Sequence, residues 1–262
     1  MQLFLATLIS AFANPNPIIK AEQTQKICAK WKAGHLPRPE TDPTDWPDRP
    51  GRPEKPELID PRNMPKRRFK GLNGRIGLLH ALAHIELNAI DLALDLIGRF
   101  SKAPFPDDFI NDWMNVAHDE SKHFLMINKR LEELGSYYGA LPAHDGLWEA
   151  AFKTRHDLMA RLAVVPMVLE ARGLDVTPGM IDKLDKSGDT HSADLLKIIY
   201  EDEKTHVQAG VNWFLALCQQ ENCDPEATFR QKVDTYFKGA LKPPFNIRAR
   251  NEAGMPQGFY QN

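Results

Sequence analysis

Apolar residues recur every three to four positions over four long segments of the chain, and this period predicts amphipathic helices. The segments span about residues 72–100, 107–135, 146–173 and 189–220. Nowhere do apolar and polar residues alternate convincingly enough to predict a strand. The pattern therefore predicts an all-α fold in which the four long helices pack as an antiparallel bundle.

A proline-rich stretch precedes the first long helix. Nine prolines lie between residues 36 and 66, and because proline lacks the N–H donor, this stretch cannot be a regular helix or a central strand. It is either a flexible linker or an extended arm, and Trp46, Leu58 and Ile59 favour an arm laid over the bundle. The prolines are Pro37, Pro39, Pro43, Pro47, Pro50, Pro53, Pro56, Pro61 and Pro65.

Glycine and proline also mark the end of the third helix. Gly173 is expected to cap it in the left-handed conformation. Thr177 followed by Pro178 predicts the N-terminus of a further short helix that ends near Lys186. Pro166 lies four residues before Glu170 and should kink or locally unwind the third helix, either to re-aim that carboxylate or as a packing accommodation.

The breaks divide the chain into three predicted segments. Residues 1–70 would form an N-terminal helix and the proline-rich arm, and residues 71–222 would form the four-helix bundle. Residues 223–262 would form a C-terminal helix, from Asp224 to about Leu241, and an irregular tail.

The pentapeptide Asp-Glu-x-x-His occurs twice, once in the second and once in the fourth predicted helix. Residues three apart on a helix lie about 60° apart around its axis, so the Glu and His of each copy share one face. A single Glu-x-x-His is a weak signal, because both residues are common on solvated helix faces. The two copies are Asp119–His123 and Asp202–His206.

Two further glutamates complete an internal repeat. Glu86 lies 34 residues before Glu120, and Glu170 lies 33 residues before Glu203, each on an otherwise apolar helix. An ionised glutamate on an apolar stripe is costly unless it is paired or binds a metal, which argues against simple surface pairs. Two antiparallel hairpins would gather four Glu and two His, the ligand set of ferritin-like di-metal proteins. The predicted ligands are Glu86, Glu120, His123, Glu170, Glu203 and His206.

This ligand set indicates a two-metal site. The first three ligands would hold one ion and the last three the other, with Glu120 and Glu203 as bridging carboxylates. Carboxylates with two imidazoles suit iron or manganese better than zinc, which favours Cys and His, or calcium, which avoids nitrogen. We expect two Fe ions, with Mn open and Zn as an adventitious occupant. Iron would reduce O2, whereas manganese suggests redox chemistry on peroxide.

Each of the residues next to the predicted ligands, Asp119, Asp202 and Tyr200, has two possible roles. Metal-bound imidazoles usually donate their other N–H to a carboxylate, so we predict that Asp119 bonds His206 and that Asp202 bonds His123. The alternative is that both aspartates are solvated. Tyr200, three residues before a ligand, is either redox-active or a core residue with a hydrogen-bonded hydroxyl.

Composition bounds the class of protein. The 262 residues are 42% hydrophobic with a net charge of −2, which indicates one large domain and no nucleic-acid partner. Charged residues and histidines interrupt the longest apolar stretch, so no transmembrane segment is expected. Three cysteines without a C-x-x-C pair favour reduced thiols and a cytoplasmic location. The apolar run from Leu3 to Ala13 ends like a secretory signal, but no basic residue precedes it, so we expect an N-terminal helix on the bundle.

Five segments carry distinctive motifs: His80–Glu86, Ala117–Phe124, Leu169–Pro178, Asp202–Val207 and Pro244–Arg250. Together these segments resemble the DUF455 family of ferritin-like proteins. The resemblance implies a ferritin-like fold with an N-terminal helix, a proline-rich arm and a C-terminal extension, and it makes a signal peptide less expected. It also implies that the tail with Arg248, Arg250 and Glu252 covers one end of the site. It supplies no substrate.

The leading functional hypothesis is an oxidoreductase whose di-iron centre activates O2 to hydroxylate or desaturate a small organic substrate, with an electron donor as a further partner. The alternatives are metal or oxidant handling, by iron oxidation or peroxide removal, and a structural or interaction module. The long arms favour a monomer or homodimer over a storage cage. We expect a substrate pocket lined by Ala83, Ala117, Phe124, Met167 and Tyr200.

Overall fold

A computed structural model of the chain describes residues 3–38, 46–65 and 69–261. Among these residues the regular structure is helical, with an isolated parallel bridge between Leu58 and Ala143, and the all-α prediction is confirmed. The helices are α1 (Leu3–Phe12), α2 (Pro17–Lys32), α3 (Gly71–Phe100), α4 (Asp107–Glu133), α5 (Gly146–Lys153), α6 (Leu158–Val164), α7 (Ala171–Lys186), α8 (Thr190–Glu221), α9 (Pro225–Tyr236) and α10 (Ile247–Glu252). A π-helical segment, Val165–Glu170, joins α6 to α7, and 3-10 turns cover Pro61–Asn63 and Gln257–Phe259.

The chain forms two compact units, Met1–Trp148 and Glu149–Asn262. The division falls between the two copies of the sequence repeat, so each unit contains one Glu-x-x-His helix. The predicted boundaries at residues 70 and 222 would separate the four-helix bundle from the N-terminal and C-terminal segments. They stay a prediction.

In the first unit, α3 and α4 pack against each other as a helical hairpin, and α1 and α2 pack beside them. The N-terminal helix is confirmed, because the side chains of Phe4, Leu8 and Phe12 are at most 1% exposed. By length and composition α3 alone among the described helices is apolar enough to cross a membrane, contrary to the expectation of no transmembrane segment. However, 72% of its most apolar window is buried within the fold, as in a core helix.

The described part of the proline-rich stretch is an arm packed on α3, as predicted; Pro39 and Pro43 lie outside the described residues. Trp46 is buried and donates from Nε1 to Asp95 Oδ1 at 2.7 Å. Its ring lies directly against Gly98, where the Cβ of any other residue would overlap it. The arm is therefore fitted to the surface of α3.

Buried charges fix the arm further along. Asp91 on α3 is fully buried and binds two cations, Lys20 of α2 at 2.6 Å and Arg52 of the arm at 2.7 Å. Lys20 is itself only 1% exposed and also donates to the carbonyl of Gly51. Burial lowers the pKa of Lys20, and the Asp91 carboxylate opposes that shift. Three segments of the first unit thus meet at one carboxylate.

In the second unit, the expected local unwinding at Pro166 is confirmed, because residues 165–170 are π-helical. The missing N–H and the ring of proline disturb an α-helix, and a wider turn accommodates both. Gly210 of α8 lies against the Pro166 ring, where a Cβ would overlap it. This close approach holds the π-helical segment against α8.

The prediction that Thr177 and Pro178 begin a helix is wrong, as is the cap at Gly173. Helix α7 runs from Ala171 to Lys186 with Pro178 inside it. Proline at that position cannot donate to the carbonyl of Leu174, but the side-chain amide of Asn246 donates to that oxygen at 3.1 Å. Asn246 therefore replaces the hydrogen bond that Pro178 cannot donate, and α7 continues through the proline.

Other boundaries differ in smaller ways. The predicted third helix is interrupted between Lys153 and Leu158, and the C-terminal helix ends at Tyr236 instead of near Leu241. Its start is as predicted, since the Asp224 side chain accepts from the amide of Ala227. The tail, which is predicted to be irregular, contains helix α10.

Replacing Asn246 by alanine should lower the free energy of unfolding by about 1–3 kcal/mol, because the Leu174 carbonyl loses its donor. The change also removes hydrogen bonds to Tyr200 and, as N-cap of α10, from Ala249. Urea unfolding measures the loss. In a Pro178→Ala background the helix can supply the missing N–H, so the same change should cost less. Equal costs in both backgrounds would contradict this role, and the exposed Asn251→Ala is the control.

Candidate metal centre

The first unit brings together three of the predicted ligands. Glu86 comes from α3, and Glu120 and His123 lie one turn apart on α4. His123 Nδ1 is 3.2 Å from Glu86 Oε2 and 3.7 Å from Glu120 Oε2. One potential ligand atom from each residue lies within 4.8 Å of the others. All three side chains are at most 3% exposed, so the helical hairpin places two carboxylates and an imidazole in its interior.

The electrostatics of this triad favour a bound cation. Burial raises the pKa of Glu86 well above its ordinary value, and the nearby Glu120 carboxyl raises it further. The hydrogen bond and charge of His123 act in the opposite direction but are smaller. Two carboxylates side by side in a dry interior cannot both ionise cheaply without a positive charge between them. Oxygen ligands with one imidazole suit a divalent transition metal, so the residues fit such an ion.

The second unit holds the other three predicted ligands. His206 on α8 is 1% exposed, and its Nδ1 lies 3.7 Å from Glu203 Oε2. Glu170 is half-buried at the end of the π-helical segment. Because Gly210, one turn after His206, contacts Pro166, the backbone that carries Glu170 is held close to α8. π-helical turns often occur at functional sites, where they change the direction of a side chain.

The residues predicted to support the ligands are partly exposed. Asp119 is 26% exposed and lies 3.5 Å from both His118 Nδ1 and Lys122 Nζ. The predicted bonds from Asp119 to His206 and from Asp202 to His123 would each join the two units and stay predictions. Tyr200 accepts a hydrogen bond from Asn246 at 2.9 Å. Asn246 is absent from the predicted site residues, although a proline inside a helix leaves a carbonyl in need of a donor and so signals such a partner.

The two histidines of α3, His80 and His84, are buried in the core. The backbone amides of Gly139 and Leu141 donate to His80 Nε2. His84 is hydrogen-bonded to the Tyr138 hydroxyl at 2.9 Å and to the carbonyl of His144 at 3.0 Å. Burial is the main cause that lowers the pKa of His84 to about 4. These residues anchor the loop after α4 to α3.

The low pKa of His84 predicts acid sensitivity. The unfolded chain binds a proton near pH 6.5 and the folded chain only near pH 4, so stability is lost as the pH falls between these values. The shift corresponds to about 3 kcal/mol of unfolding free energy. Urea unfolding at pH 7 and pH 4.5 should show a larger loss for the native protein than for His84→Gln. The exposed His156→Gln should behave like the native protein; equal losses in native protein and His84→Gln would contradict the assignment.

A family model and a bacterial protein both match most of the chain. The model of a family described as "Protein of unknown function (DUF455)" matches residues 13–261, so α1 lies outside the match. A Haemophilus influenzae protein, named "Uncharacterized protein", is 41% identical over 205 residues, which cover 76% of this chain and 71% of that protein. No solved structure matches the chain significantly.

Proposed function

The chain belongs to the DUF455 family, and for it we propose a non-haem di-iron or di-manganese oxidoreductase with a ferritin-like bundle. The two triads, one in each compact unit, are the halves of a single di-metal centre. In this proposal Glu120 and Glu203 bridge the ions. The remaining four ligands complete the coordination.

The burial of the Glu86, Glu120 and His123 triad is the observation that carries the proposal. These side chains are at most 3% exposed in a protein whose other described carboxylates include many at the surface. Keeping two adjacent carboxylates out of water destabilises the metal-free fold, which a purely structural role would not require. A metal site explains why the chain retains them.

Two iron ions held by these residues would supply the electrons that reduce O2 for hydroxylation or desaturation of an organic substrate. The chain itself contributes a site from which water is largely excluded, because the Glu86 and Glu120 side chains are at most 3% exposed. It also contributes a proton store, since the raised pKa of Glu86 keeps a proton on the metal-free triad. Metal binding must release that proton, so affinity should rise with pH.

Metal titration of the full chain tests the proposal. Anaerobic Fe(II) binding should reach two ions per chain, with mass spectrometric metal analysis as the count. Glu120→Gln and Glu203→Gln should each weaken both ions, because a bridging carboxylate contacts both. The exposed Glu22→Gln and Glu221→Gln are matched controls and should keep full binding.

The alternatives give different results. If Glu120→Gln leaves one ion bound with unchanged affinity, the triads are independent sites and the single centre is wrong. Absence of bound metal would favour an interaction module. Oxygen consumption that stops when the added Fe(II) is oxidised, and that no organic compound prolongs, would favour iron oxidation over an oxygenase.

A further inference from the structure

A cavity of about 230 Å³ in the second unit lies beside the segment that carries Glu170. Val168 and Leu169 of the π-helical turn form part of its wall, and the connection after α9, residues 237–242, forms another part. Leu169 is the immediate neighbour of Glu170 in the chain. A molecule in this cavity would therefore contact the same turn that positions a predicted metal ligand.

The cavity carries an excess of positive charge. Arg172, Lys238 and Lys242 line it, in a chain whose net charge is −2. Neither lysine has a carboxylate partner among the described residues. Arg250 also lines the cavity, but it donates two hydrogen bonds of 2.9 and 2.7 Å to Asp175. The opposite charges of this buried pair therefore cancel. Three positive charges remain for a ligand.

Arg172 is already oriented for this task. Within the described residues all of its hydrogen bonds run through Nη1, to the carbonyls of Lys242 and Pro244 and to Asp175. Its Nη2 and Nε groups stay available, and a guanidinium fixed on one side presents the other as a rigid fork for an anion. The backbone contacts also tie the connection after α9 to α7.

The rest of the lining is apolar. Phe237, Leu241 and Phe245 join Val168 and Leu169 around the cavity. We propose that this cavity binds a small apolar carboxylate, with its carboxylate at Arg172 and the two lysines and its apolar body against the aromatic rings. Resting on the proposed function, this assigns the substrate class of the metal centre. The volume suits a metabolite smaller than a drug-sized ligand.

Binding measurements on the full-length, metal-free protein test the cavity by itself. Titration calorimetry should detect hexanoate, and 1-hexanol, which lacks the charge, should bind at least about tenfold more weakly. The double variant Lys238→Gln, Lys242→Gln should weaken hexanoate binding about tenfold, since two of the three positive charges are lost. Lys153→Gln, Lys183→Gln removes the same charge from exposed, unpaired lysines of this unit and should change nothing. Ala240→Trp, which places a large side chain at a residue that lines the cavity, should abolish binding.

Equal affinities for hexanoate and 1-hexanol, or hexanoate binding that survives Ala240→Trp, would overturn the proposal. A separate titration with Mn(II) alone keeps the two hypotheses apart. If Mn(II) binds and hexanoate does not, the substrate class is wrong and the metal centre stands. If hexanoate binds as expected and no metal does, the cavity is a carboxylate site but not a substrate site. If both bind, saturating Mn(II) should change the hexanoate affinity through the shared turn, and no change would overturn the connection.

Discussion

Replacing Asp91 by alanine is expected to lower the free energy of unfolding by about 3–5 kcal/mol. The change leaves Lys20, which is 1% exposed, and Arg52 without their shared carboxylate. Removing one partner of a buried ion pair leaves a charge that water cannot reach, and this penalty exceeds the loss of the contact itself. Because Asp91 joins α2, the arm and α3, the arm should also loosen, with increased hydrogen exchange over residues 46–53.

Chemical unfolding monitored by circular dichroism measures the effect. Asp182→Ala removes an exposed ion pair with Lys186 and should cost less than about 1 kcal/mol. Replacing all three charged residues by apolar ones, as Lys20→Met, Arg52→Met and Asp91→Leu, should recover much of the loss. A cost for Asp91→Ala near that of the control, or no recovery in the triple variant, would contradict the charge argument.

Glu86→Gln is expected to have opposite effects on stability and on metal binding. In the metal-free protein, burial and Glu120 raise the pKa of Glu86 above its ordinary value of 4.5. The folded state therefore holds more protons than the unfolded state above that pH, and this group's contribution to stability is lost as the pH rises. Glutamine does not titrate, so the metal-free variant should gain stability relative to the native protein as the pH increases.

The same substitution removes a negatively charged ligand from the proposed metal site. Loss of residues that merely support metal ligands reduces affinity 10- to 100-fold, so loss of Glu86 should reduce it by more than about 100-fold. The free energy of unfolding, measured with and without added metal between pH 5 and pH 8, tests both the stability gain and the loss of metal affinity. Glu22→Gln, an exposed control, should show neither. A stability difference that is constant with pH would show that Glu86 is ionised without a partner cation, contrary to the argument.

Helix periodicity and the spacing of glutamates were enough to predict the buried triad of the first unit. Glu120 and His123 are three residues apart on one helix, and their common face is a local property of the chain. Glu86 could be added because an acidic residue on an apolar stripe requires a special partner. The same reasoning selects Glu170, Glu203 and His206, and the joining of the two triads stays a prediction.

The error at Pro178 shows where local reasoning stops. Proline in a helix interior usually costs several kcal/mol, and the sequence therefore favoured a helix start there. The missing hydrogen bond is replaced by Asn246, 72 residues from Leu174 in the chain, so no local pattern contains the compensation. The buried Asp91 network is similar, since its carboxylate meets cations 71 and 39 residues away.

By itself the sequence determined the all-α class, the helical hairpin of the first unit and the buried Glu86, Glu120 and His123 triad inside it, because each depends on periodicity within a helix. Only the tertiary structure decided which carbonyl Asn246 would satisfy, which cations Asp91 would bind and that Arg172 and two lysines would surround one cavity. Those arrangements depend on which segments, distant along the chain, lie next to each other in the folded structure. Hydrogen bonds and ion pairs act over a few ångströms in space, whatever the separation along the chain.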